Sequence, residues 1–68
     1  MIRSEQELQT TLDRIHFFQA QLAELRRVET NPVNYRLSAA GFLAEVDRMQ
    51  LEVREFFSRL PAEVSAGA

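Results

Sequence analysis

Sixty-eight residues make one small domain at most, and such a chain removes only about 60% of its unfolded surface from water on folding. With no cysteine, neither a disulfide nor a thiolate metal site can make up the shortfall, and self-association is the remedy left. Ten acidic and eight basic residues, interspersed along the chain, give a net charge of −2 and no cluster of positive charge to neutralise phosphates, so nucleic-acid binding is disfavoured.

The chain opens with a short lead-in at residues 1–3. Ser4-Glu5-Gln6-Glu7 has the form of a capping box, in which the Ser4 hydroxyl accepts from the Glu7 amide and the Glu7 carboxylate reaches back to the Ser4 amide. Two acids in that first turn suit the helix dipole. From there Leu8, Ile15 and Leu22 recur at one heptad position, and Thr11, Phe18 and Leu25 at another, with Leu12 and Val28 flanking the seam. The spacing predicts a first helix over about 4–28.

Glu29-Thr30-Asn31-Pro32 interrupts the pattern. The residue before a proline is pushed out of the helical region, and Asn followed by Pro is a good cap and first position for a new helix. A second helix can begin at Pro32, which is favoured, with an irregularity between Leu37 and Gly41, or it can begin after a turn or short helix over residues 32–37, with Ser38 as its cap. Ala39, Phe42, Val46, Met49, Val53, Phe56 and Leu60 then form one stripe, preceded by Tyr35 and widened by Leu43 and Phe57. Arg48 and Glu52, and Glu55 and Arg59, are opposite charges four apart on the polar side. Pro61 ends the helix near residue 60, leaving 61–68 as a disordered tail. The expected fold is all-α: an antiparallel two-helix hairpin that dimerises into a four-helix bundle.

Chemistry finds little purchase. Asp13 and the only histidine, His16, stand three apart, half of a di-metal carboxylate motif that Glu45, Asp47 or Glu52 could complete, which makes a metal- or small-ligand-binding bundle the alternative reading. No serine has a histidine base nearby in the pattern, and the two glycines, Gly41 and Gly67, make no phosphate loop. Neither catalysis nor a cofactor is expected.

Apolar residues carry the main functional expectation. Phe18, Leu22, Leu25, Phe42, Val46, Met49, Val53, Phe56 and Phe57 form the interface between helices and subunits. Phe17, about 100° around the helix from Phe18, and Leu51 lie off the seam and are expected at a further contact surface. No apolar run approaches the ~20 residues of a membrane span and no signal-peptide pattern opens the chain, so a cytoplasmic protein is expected.

The order of features resembles the helical hairpin preceding the DNA-binding domain in some HigA-like bacterial antitoxins. The residues that carry it are Ser4 to Glu7 with QLAEL (21–25), then GFLAEVDRMQLEVREFF (41–57). The sequence stops where the helix-turn-helix would begin. The resemblance therefore implies the dimerising and partner-binding part, with a toxin as the partner and no operator recognition.

Overall fold

The computed structural model describes residues 1–59. Two helices, α1 (Glu5–Val28) and α2 (Pro32–Phe57), pack against each other as a hairpin, with no strand among the described residues.

Ser4 caps α1 in an extended conformation, and its hydroxyl accepts from the Glu7 amide at 3.1 Å. The reciprocal half of the box is displaced by one residue: the Glu7 carboxylate takes the Arg3 amide at 2.6 Å instead of that of Ser4. Ile2, in the same lead-in, is buried.

The connection is made by polar groups. Glu29 turns extended while its N–H still donates to the Leu25 carbonyl at 2.8 Å, and its carboxylate accepts from the Asn31 amide at 3.0 Å. The Asn31 side chain in turn accepts from the amides of Val33 and Asn34, at 2.9 and 3.2 Å, so α2 starts at Pro32, where the missing N–H costs nothing. Between Leu37 and Gly41 the helix runs without irregularity, and Ser38 is an interior residue.

At its other end α2 stops at Phe57, short of residue 60. Ser58 closes it: its hydroxyl donates to the Glu55 carbonyl at 2.7 Å and its amide to the Arg54 carbonyl at 2.9 Å. The expected Glu55–Arg59 pair does not form, since Arg59 lies past the last helical residue and no longer sits one turn above Glu55. Leu60 and the expected tail over 61–68 lie outside the described residues.

Ile15 on α1 with Val46 and Met49 on α2 makes the centre of the core, and Phe18 and Val53 pack against it. Leu8 and Ala39 are buried toward the two ends of the seam. Thr11, the one polar residue of the α1 seam, satisfies its hydroxyl by donating to the Glu7 carbonyl at 2.9 Å. Phe18 of α1 meets Phe42 of α2 with ring centroids 5.7 Å apart, which fixes the antiparallel register. This core is small, and Leu22, Leu25, Phe42, Val53 and Phe56 remain only half-buried.

Candidate interaction surface

A pair of helices has two open sides, and the register decides what each carries. Arg14 of α1 acts electrostatically on Glu45 of α2, so those two columns share one side. There Arg48 binds Glu45 at 2.7 Å and Glu52 at 3.4 Å, and the Met1 ammonium reaches the same Glu52 oxygen at 3.3 Å. The hydrogen bond from Arg48 and its charge hold the Glu45 carboxyl below its ordinary pKa. On this flank Glu45, Arg48, Glu52 and the amino terminus are paired within the chain, while Arg14 makes no ion pair among the described residues.

Heptad phase puts Leu12 and Gln19 of α1 with Leu43, Gln50 and Phe57 of α2 on the opposite side. Leu12 is 37% exposed, Leu43 49% and Phe57 65%; no charge interrupts these two columns, and Asp47 and Arg54 stand one column further out on α2. Within those two columns the charges are at the ends. Glu5 stands at the open end and Arg26 and Arg36 at the connection end, all exposed and none in an ion pair among the described residues.

Of the sequence-derived interface residues, Val46 and Met49 are fully spent on the hairpin's own core, while Phe18, Leu22, Leu25, Phe42, Val53 and Phe56 line the seam with one edge outward. Phe17 and Leu51 are 57% and 53% exposed. Phase separates them: Phe17 leans on Phe18 at 5.7 Å on the charged side of the hairpin, whereas Leu51 shares the back of α2 with Leu37 and Ala44. Phe57 packs edge-on against Phe56, with centroids 5.8 Å apart.

Two residues were missed by the sequence reading. Ile2 is buried, and beside it an open hollow of about 510 Å³ is lined by Phe56 with Arg3, Glu52, Glu55 and Arg59. The signal for Ile2 was a hydrophobic staple one residue out of its usual place, since the position next to the cap is Arg3. Leu37, 73% exposed, lies two heptads before Leu51, a spacing readable in the sequence.

The alternative metal site does not assemble. Asp13 and His16 are exposed, Asp13 accepts from the Gln9 side chain at 3.0 Å, and Glu45 and Glu52 are held by Arg48. Among the described residues no three His, Cys, Asp or Glu side chains converge. No helix there is long and apolar enough to cross a membrane.

Comparison with family models, with curated proteins and with solved structures returned no match.

Proposed function

We propose that this chain is a non-enzymatic interaction module, a helical hairpin that associates with itself into a four-helix bundle and presents apolar surface to a protein partner. The observation that carries this reading is the contrast between a small core and a large apolar exterior. Among the described residues six hydrophobic ones are buried, while Leu12, Leu43 and Phe57 on one flank and Phe17, Leu37 and Leu51 elsewhere stay in contact with water. A core of this size supplies roughly 3–5 kcal/mol at best. Covering any one of those large side chains would add about 1.5–3 kcal/mol by transfer from water.

The resemblance to HigA-like antitoxins gives this reading its most concrete form, in which the partner is a toxin encoded by an adjacent gene. Sedimentation at micromolar concentration tests the self-association, and a stable, fully helical monomer would overturn it. Co-expression with the product of the adjacent gene tests the antitoxin role. A stable complex and rescue of growth would support that role; growth arrest with no complex would refute it.

A further inference from the structure

We propose that a second copy of this chain docks on the neutral flank, Leu12, Gln19, Leu43, Gln50 and Phe57, around a two-fold axis perpendicular to the helices, so that Glu5 of each copy meets the partner's Arg26. The inference rests on the self-association proposed above and adds which face is used and in which direction.

Three observations select this face and this direction. First, size: α1 and α2 span about 36 and 39 Å at 1.5 Å per residue, and two helices about 10 Å wide present a side of roughly 700 Å². A stable interface takes about 800 Å² from each partner, so one side of the hairpin is close to what a dimer needs. Second, chemistry: this flank offers leucines and a phenylalanine contiguous with the buried Leu8, Ile15 and Val46 beneath, and the charges nearest its middle, Asp47 and Arg54, stand one column further out on α2 at its rim. The opposite flank would have to strip water from Arg14, Glu45, Arg48 and Glu52.

Third, direction: a two-fold perpendicular to the helices reverses one copy, which sets Glu5 opposite the partner's Arg26 and Phe57 opposite the partner's Arg36. The first is an ion pair between groups unpaired within the chain, the second a cation over an aromatic ring. In the same alignment Leu12 lies over the partner's Gln19, and the partner's Leu43 comes level with it on the neighbouring helix. The axis that satisfies the Glu5–Arg26 pairs passes level with Ile15, at the centre of the core cluster. A two-fold parallel to the helices would instead bring Arg26 beside the partner's Arg36, like charge against like. The flank is self-complementary in one direction only.

The absence of cysteine makes the test clean. In a chain carrying Glu5→Cys and Arg26→Cys the two thiols lie roughly 32 Å apart along α1. A disulfide between them within one chain is therefore impossible, because its Cα atoms must come within about 7 Å. Mild oxidation is expected to give a covalent dimer whose peptide map shows 5-to-26 bonds between chains. Dimers linked 5-to-5 and 26-to-26, or an unlinked dimer by sedimentation, overturn the proposed face while leaving self-association standing. A helical monomer overturns both.

Charge reversal supplies the second arm. Arg26→Glu with Arg36→Glu is expected to weaken the dimer about tenfold or more at low salt, by turning attraction into repulsion at both ends. Adding Glu5→Arg to that chain is expected to recover most of the loss. Recovery cannot follow from misfolding, so failure to recover with helicity intact counts against the proposed direction.

Discussion

The two sides of this hairpin are built from the same helices and differ in how their surface groups are satisfied. On one, Arg48 draws in Glu45 and Glu52, the charge of Arg14 acts on Glu45, and the chain's own amino terminus joins the group. On the other, apolar side chains and neutral amides fill the columns beside the seam, unpaired charges stand at the ends, and Asp47 and Arg54 lie at the outer rim. A side most of whose charges are already paired gains little from a partner, because docking would cost their hydration. A side with exposed leucine and phenylalanine beside a half-filled core gains on every square ångström covered. The difference lies in completeness more than in hydrophobicity.

The largest expected effect comes from removing what both sides rest on. Met49 is 2% exposed and touches both helices' core residues, so Met49→Ala should cost about 2–5 kcal/mol. That equals or exceeds the roughly 3–5 kcal/mol available to so small a core. Circular dichroism at 25 °C should show most of the helix lost. Phe42→Ala, at a half-buried site, should retain more helix than Met49→Ala under the same conditions.

Next come the surface residues, where the comparison can be broken directly. Leu43→Ser with Phe57→Ser should shift the sedimenting species to monomer, with a loss of up to about 1.5–3 kcal/mol for each side chain that the dimer buries. Phe17→Ser with Leu51→Ser should leave oligomer size unchanged and reduce binding of a protein partner instead. If the second pair dissociates the oligomer and the first does not, the dimer uses a face that carries Phe17 or Leu51 and not the flank of Leu43 and Phe57.

A smaller effect tests the hinge between the helices. Asn31 satisfies the amides of both Val33 and Asn34, and Asn31→Ala should cost about 1 kcal/mol, or some 4–8 °C in Tm for a chain of this size. Gly41→Ala has the opposite sign. A Cβ there meets nothing within 4 Å and the residue is mid-helix, so the change should stabilise the hairpin by up to about 1 kcal/mol. Thermal melts of the two variants, run together, should move in opposite directions.

Much of the architecture could be read from spacing because a hairpin's core follows from helical phase. Ile15, Val46, Met49 and Ala39 stand where the three-four rhythm puts them, and Asn31-Pro32 marks the break by local chemistry that needs no tertiary help. What spacing could not give depends on contacts across the chain. Ile2 is apolar in a lead-in without periodicity, and only the far end of α2 makes a place for it. The end of α2 at Phe57 is decided by the Ser58 hydroxyl competing for a helix carbonyl three residues before the proline. Leu12, Leu43 and Phe57 were visible as flanking residues, but that they share a side opposite Arg14 and Glu45 requires the antiparallel register. Phe17 and Leu51 look alike in sequence, both merely off the seam, and the same register puts them on different faces.

The smallest effect concerns the charged side and acid. Hydrogen bonding to Arg48, and then its charge, lowers the Glu45 pKa, so in the folded chain this carboxyl binds its proton at lower pH than it does unfolded. The pair's contribution to stability is therefore present above the ordinary glutamate range, about pH 4.3, and is lost as pH falls through the depressed value. Both partners are exposed and the pair is screened, so the change in Tm should be slight and should appear only at low ionic strength. Melts between pH 6 and pH 3 should show a slightly shallower acid decline for Arg48→Gln than for the parent chain, and 0.5 M salt should merge the two curves. If the curves differ as much at high salt, Arg48 supports the hairpin by packing its aliphatic stem over α2, and the charged side is less self-contained than its ion pairs imply.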